Sequence, residues 1–303
     1  MKVLITGGNG FIGGRLAKYL LSFDKNIIYI ASRDISVKKL TNVSDLNYTY
    51  INWDSAEVLN SVCANMDVII HLAGMNASEC SKNPVDALYF NGVCTARLIE
   101  SAINQNVKRF ILVSTAHVYG SPLKGNISEI DKLCPVNPYA TSNRAAEDLV
   151  FTALKNKRIE GLVLRLSNGY GAPAKKNVNC WNLLIPHLCR QSINQKILKL
   201  NSNGLQRRDF ITITDVCRAI DHFINLRQEK IGEGLFNVGG DWSPTVFEVA
   251  ESVQECYKDL YGIKLPIMRE NNLRKEVSVP FTYSIERLKK TGYILQKKGK
   301  KRN

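Results

Sequence analysis

Near its start the chain reads Val3-Leu4-Ile5-Thr6-Gly7-Gly8-Asn9-Gly10-Phe11-Ile12-Gly13-Gly14, an apolar run followed at once by a glycine-rich turn. Gly7, Gly10 and Gly13 stand in G-x-x-G-x-x-G spacing. The first permits a tight turn, the second lets a pyrophosphate approach the backbone, and the third lets a helix pack closely on a strand. The helix opening behind them offers unpaired amide donors and a partial positive charge to an anion. Phe11 and Ile12, between the glycines, belong to the same expected contact. Such a turn between strand and helix commits the chain to βαβ units and to a dinucleotide at the carboxyl edge of a sheet.

The rest of the first half fits that commitment. Continuous apolar runs recur at Ile27–Ala31, Asp67–Ala73, Phe110–Thr115 and Gly161–Ser167, with amphipathic segments between them. Runs of this kind suit strands covered on both faces. Right-handed crossovers then give an α/β fold, a Rossmann-type doubly wound parallel sheet, with a smaller C-terminal substrate-binding lobe. With 303 residues there is room for both. The expected dinucleotide-binding part takes residues 1–167 and about 209–237, because Phe210–Ile224 again reads as strand then helix. The substrate-binding lobe takes residues 168–208 and about 238–296, and 297–303 form a basic tail.

The second strand ends in Ala31-Ser32-Arg33, with no acid before Asp34. A carboxylate there would bind the adenosine ribose hydroxyls, whereas Arg33 can fork onto a 2′-phosphate and Ser32 can donate to it. The expected coenzyme is therefore NADP(H), with NAD(H) possible. Asp54, after Tyr48–Asn52, is expected to accept from the adenine amino group.

Charge and cysteine usage narrow the class further. The net charge is +14, and the tail contributes Lys297, Lys298, Lys300, Lys301 and Arg302. Such a field favours an anionic substrate, and a nucleic acid is the sharper, less favoured partner. Eight cysteines form no C-x-x-C pair, and with only four histidines no zinc pattern arises, so no metal is expected. No apolar stretch is long enough to span a membrane and no secretory pattern opens the chain, so a cytoplasmic protein is expected.

The motifs Thr6–Gly14, His71–Gly74, Asn91, Val113–Gly120, Asn137–Asn143 and Arg207–Ile211 follow in order. Together they resemble the extended short-chain dehydrogenase/reductases: nucleotide-sugar epimerases, dehydratases and 4-ketoreductases. The resemblance runs from about Met1 to Tyr293. It implies that Leu72, Ala73, Gly74 and Asn91 border the cofactor, Asn91 in a supporting role. Tyr139 matches the catalytic tyrosine, which exchanges a proton with the sugar oxygen while hydride moves to or from nicotinamide. Asn137 suits the N-cap before it and Pro138 the first helical turn. Thr115 matches the residue that hydrogen-bonds the same oxygen.

Asn143 departs from the family's Y-x-x-x-K pattern. Positions i and i+4 share a helix face, so the usual lysine stabilises tyrosinate and lowers its pKa by about 1–3 units. An amide can hold ribose hydroxyls but carries no charge. Arg144 cannot substitute: at about 100° per residue it points well away from Tyr139. A neutral phenol suits a reductase, which needs an acid, better than an alcohol oxidation, which needs a base. Ala116 and His117 depart likewise, since the family's 4,6-dehydratases carry an Asp-Glu pair there. That disfavours a dehydratase and leaves His117 as an extra acid/base group or a hydrogen-bonded residue at a strand end.

The resemblance assigns Asn168, Asn182 and Leu183 to the sugar-nucleotide pocket. It assigns Arg208, and more weakly Arg274, to the diphosphate. The favoured reading is an NADP(H)-dependent 4-ketoreductase of a nucleoside-diphosphate 4-keto-6-deoxy sugar, in carbohydrate biosynthesis. The alternatives are a nucleotide-sugar 4-epimerase, or a silent cofactor-binding protein with a basic RNA- or partner-binding surface. A homodimer is expected through helices near Asn91 and Tyr139, with Val93, Ala96, Leu98, Ile99, Ala145 and Leu149 as candidate contacts.

Overall fold

The computed structural model describes residues 1–23, 25–34, 46–270 and 279–296. Arg274 and the basic tail lie outside them. The chain runs β1 (Lys2–Thr6), α1 (Phe11–Leu21), β2 (Ile27–Ser32), β3 (Leu46–Tyr50), α2 (Ala56–Cys63), β4 (Val68–His71), α3 (Ala77–Lys82), α4 (Pro84–Ala87), α5 (Cys94–Asn104) and β5 (Arg109–Thr115). It continues through β6 (Gly125–Ile127), α6 (Pro138–Lys155), β7 (Glu160–Leu166), β8 (Asn168–Tyr170), α7 (Leu184–Asn194), β9 (Leu198–Leu200), β10 (Phe210–Thr212), α8 (Ile213–Ile224) and β11 (Leu235–Val238). It closes with α9 (Val246–Tyr261), β12 (Ile267–Arg269), β13 (Phe281–Tyr283) and α10 (Glu286–Lys290).

Seven strands form one parallel sheet in the order β11-β7-β5-β4-β1-β2-β3. From β1 the chain winds outward to β3, then returns to β4 on the other side of β1. The order therefore reverses between β1 and β4, and ligands of open α/β sheets bind at such a switch point. Thr6 is in register with His71, so both following turns leave the sheet side by side.

Alternate residues of each strand feed opposite faces. Val3, Ile5, Val68 and Ile70 meet α1 and α8 through Leu16, Leu20, Val216 and Phe223. Leu4, Ile69, Phe110 and Leu112 meet α2, α5 and α6 through Leu59, Leu98, Ile99 and Val150. The predicted α/β sheet is thus present. A further cluster joins Leu188 of α7, Leu198 and Leu200 of β9, and Val246, Val249 and Ala250 of α9. One set of expectations is corrected: Leu98 and Ile99 are 0% and 3% exposed against the sheet, so they cannot serve contact between copies. Val93, at 42%, is exposed.

Charge is buried where strands and helices must be held in register. Arg165, inside β7, is 1% exposed, and Glu147, on α6, is 0% exposed. They pair at 2.7 Å, and the Ser114 hydroxyl donates to the same carboxylate at 2.6 Å. The guanidinium also lies over the Tyr119 ring at 4.7 Å. Arg109 of β5 pairs with Glu160 and donates to the Phe223, Ile224 and Leu226 carbonyls, capping α8.

A buried pair costs most when one partner goes. Arg165→Met, which strands the Glu147 charge, is expected to lower urea-derived unfolding stability by about 3–5 kcal/mol. The double variant Arg165→Met/Glu147→Leu recovers much of that loss. Equal stability of the single variant and wild type would refute the assignment.

Candidate active site

Gly7 and Gly13 give the first turn its shape. Gly7 has φ of +69°, and a Cβ there would lie 2.7 Å from the Leu72 carbonyl carbon and the Ala73 nitrogen. A Cβ on Gly13 would come within 2.3 Å of the Gly7 oxygen. The turn after β1 therefore presses on the turn after β4, and helix on turn, as the spacing implies. Gly10 is the N-cap of α1, with no side-chain cap and no acid in the first turn. The helix start keeps its amides and their positive end for a phosphate.

Beneath the turns, the Thr6 hydroxyl meets His71 Nδ1 at 2.7 Å and accepts from the Leu72 and Ala73 amides at 3.3 Å. His71 Nε2 meets Thr95 at 2.9 Å. Trp53 and Phe110 pack on the imidazole, and burial pushes its pKa down to about 4. The imidazole is thus a neutral tie between β1, β4 and α5.

At the end of β2, Ser32 donates to the Asp34 carbonyl at 2.8 Å and accepts from Asn9 at 3.3 Å. Asn9 Oδ1 is buried without a partner. Arg33 lies over the Phe90 ring at 5.5 Å. Asp54 is engaged by Arg97 and by the Tyr89 hydroxyl, with its side chain 67% exposed.

A cavity of about 240 Å³ opens over these turns. Ile12, Leu72, Ala73, Gly74, Asn91, Thr115, Tyr139 and Asn143 all border it. The glycine cradle, the open helix start and the unfilled Asn9 valence fit a dinucleotide. Asn91 is 4% exposed and ties three elements together. It accepts from the Met75 amide at 2.8 Å and donates to Ser142 of α6 at 2.9 Å. It sits in a π-helical segment, Leu88–Val93, between α4 and α5, and its carbonyl accepts from Thr95 at 2.6 Å.

Tyr139 enters from the first turn of α6. Asn137 caps that helix by accepting from the Ala140 amide at 2.9 Å, with Pro138 at the first position. Burial pushes the phenol pKa up; the nearby Thr115 hydroxyl opposes this, and no cation among the described residues contributes. Asn143 turns its amide back on the helix, donating to the Tyr139 carbonyl at 2.8 Å. Arg144 pairs instead with Glu147 and Asp148, as the helical angle requires.

A second cavity, of about 100 Å³, lies alongside, and Ser167 borders both. Ala116, His117, Asn168, Arg207, Arg208 and Asp209 line it. Arg208 is half-buried; its amide donates to the Pro244 carbonyl at 3.1 Å, its guanidinium has no ion-pair or hydrogen-bond partner among the described residues, and burial pushes its pKa down. The neighbouring Asp209 does not neutralise it. Its carboxylate, raised to about 6 by burial, is spent on Ser167 and on the Gly240 and Trp242 amides. Asn168 donates to the Asp209 carbonyl at 2.9 Å. Asn182 and Leu183 are exposed and border neither cavity; Leu183 is the N-cap of α7.

A model of the NAD dependent epimerase/dehydratase family matches residues 3–239. The chain belongs to this family. It is thus an extended short-chain dehydrogenase/reductase, as its motifs imply. The Haloferax volcanii low-salt glycan biosynthesis protein Agl12 is 29% identical over 84% of this chain and 82% of that protein. The dTDP-D-glucose 4,6-dehydratase of Dictyostelium discoideum is 32% identical over 83% of this chain and 61% of its own length. MoeE5, solved with UDP-glucuronic acid and NAD, shares the fold. Its TM-score is 0.79 at 24% identity, covering 98% of this chain and 94% of MoeE5.

In this family member the structure adds residues that the motif reading passed over: Ser114, Glu147 and Arg165 below the phenol, and Thr6 and Thr95 around His71. One signal was available, an arginine within the apolar run Gly161–Ser167, which demands a buried acid.

The neutral imidazole also sets a pH dependence. A folded pKa of about 4 lies below the unfolded value near 6.5. Its contribution is therefore complete above pH 6.5 and is lost as pH falls toward 4, by about 3 kcal/mol. Asp209, raised to about 6, shifts stability with the opposite sign over the same range, so the effect is read as a difference: from pH 7 to pH 4 wild type should lose about 3 kcal/mol more urea-unfolding stability than His71→Gln. An unchanged drop in the variant would count against the tie.

Proposed function

We propose that the chain reduces the 4-keto group of a nucleoside-diphosphate sugar, with NADPH preferred as coenzyme. One observation carries the reading: the half-buried phenol of Tyr139 borders the same cavity as Thr115, and burial keeps it protonated with no cation acting on it among the described residues. A group so placed is a proton donor in waiting.

The bound coenzyme supplies hydride to the carbonyl carbon. The protein's part is acid catalysis and positioning. Thr115 and Tyr139 converge on one oxygen; the phenol gives it a proton as negative charge develops there. Arg208, a desolvated cation whose guanidinium has no partner among the described residues, receives the diphosphate and fixes the sugar toward Tyr139. Asn168 borders the same cavity. Ala116 offers no acid for expelling a hydroxyl, so dehydration is disfavoured despite relatives that carry that name. At the other end, Ser32 and Arg33 favour a 2′-phosphate. Phe90 supports the guanidinium, and no carboxylate pairs with Arg33 among the described residues.

A second reading, 4-epimerisation, draws on the family's name and on MoeE5, whose structure holds NAD and a UDP-sugar. Stoichiometry separates the two: a reductase consumes one coenzyme per sugar, whereas an epimerase consumes none.

Turnover of 4-keto sugar nucleotides with NADPH and NADH tests the proposal. Tyr139→Phe should lower kcat by about 10²–10⁴-fold with KM little changed. Asn143→Lys should lower the phenol pKa by about 1–3 units, and so speed alcohol oxidation more than ketone reduction. No turnover in either direction by wild type and Asn143→Lys would sink the catalytic reading. Arg33→Ala should raise the KM for NADPH by roughly 10–100-fold while sparing NADH. Equal changes for both coenzymes would remove the 2′-phosphate contact.

A further inference from the structure

His117 lies between Tyr139, which borders the first cavity, and the second cavity. Its ring packs edge-on against the Tyr139 ring, with centroids 6.2 Å apart and planes at 69°. It lines the Arg208 cavity. Its backbone is fully engaged: the amide donates to Thr115 at 3.2 Å, and the carbonyl accepts from Gly120 at 3.1 Å. The side chain is not. Nδ1 is buried without a partner, and no hydrogen bond reaches either ring nitrogen among the described residues. Burial, then the Arg208 charge, pushes its pKa down and keeps the ring neutral. A neutral imidazole has one donor and one acceptor. A buried polar atom left unpaired is costly, and a native site that keeps one does so for a missing partner.

We infer that His117 contacts the sugar, hydrogen-bonding a hydroxyl on a carbon next to the one that reacts at Tyr139. The inference rests on the functional reading above, because the proton donor on one side and the diphosphate cation on the other place the sugar against this ring. Ala116 beside it contributes only bulk, so the ring is the polar group of that strand end facing the cavity. His117 thereby selects sugars that keep a hydroxyl at that carbon. A neutral ring offers the sugar a hydrogen bond and no ion pair, so the selection is by hydrogen bonding.

The test separates the sugar's share of binding from the nucleotide's. UDP, dTDP, UDP-glucose and dTDP-glucose are titrated calorimetrically into the full chain, His117→Leu and His117→Asn. In wild type the sugar nucleotides should bind more tightly than the bare diphosphates. His117→Leu should lose roughly tenfold for the sugar nucleotides and nothing for UDP or dTDP. Unchanged UDP or dTDP binding also shows that the variant is folded. His117→Asn, which carries amide atoms near the position of Nδ1, should restore binding to within about threefold of wild type. Equal losses for both kinds of probe in His117→Leu, no loss for either, no rescue by Asn, or no gain from the sugar in wild type would each overturn the inference. Wild type that binds none of the four probes would overturn the functional reading, and this inference with it.

Discussion

The ion pair between Arg165 and Glu147 is the tie on which the site depends. It joins the middle of a sheet strand to the helix that carries Tyr139, in a place water does not reach. The same carboxylate accepts from Ser114, one residue before Thr115. Tyr139 and Thr115 are thus set by one buried anion, held from opposite sides. Isolated buried charges are not retained for stability alone, since an apolar replacement often does as well. What this one supplies is registry. The helix cannot slide or turn on the sheet without stranding a charge, so the phenol keeps its distance from Thr115 while substrate and coenzyme come and go.

The two cavities divide the work by electrostatics. Around the phenol the protein provides neutral partners: a threonine hydroxyl, an asparagine amide turned to its own helix, and an uncharged imidazole. Around Arg208 it leaves a cation unanswered. In the proposed reaction an incoming anion would be held at the far end, where it neutralises charge, and the reacting carbon would meet groups that alter only by proton transfer. Asn143 fits this division. Without an ammonium beside it the phenol is a poorer base than acid, which is what the proposed reduction asks of it.

Much of the fold was legible because its signals are local. Strands covered on both faces must be apolar runs, and the turn between β1 and α1 admits only glycine at Gly7 and Gly13, so both could be read from spacing. Tyr139, Thr115 and Arg208 came from ordered motifs, and the structure brings them to two adjoining cavities. The Arg165–Glu147 pair was harder, because its partners are 18 residues apart on different elements. Only the incongruity of a charge in an apolar strand hinted at it. Leu98 and Ile99 misled because an amphipathic helix does not reveal whether its apolar stripe meets a sheet or another subunit. Asn182 and Leu183 are exposed before α7 and line neither of these cavities, so their place was not legible from the motif.

The π-helical turn at Leu88–Val93 carries a different kind of consequence. Relative to an α-helix such a turn holds one extra residue, and it is there that Asn91 reaches both the Met75 amide and Ser142. Removing that residue would not merely shorten the helix. Everything on one side would rotate by about 100° against everything on the other. Either Leu98 and Ile99 would leave the sheet, or Asn91 would swing out of the interior. The extra residue is therefore locked in: no small change can remove it and keep both the core and the cleft intact.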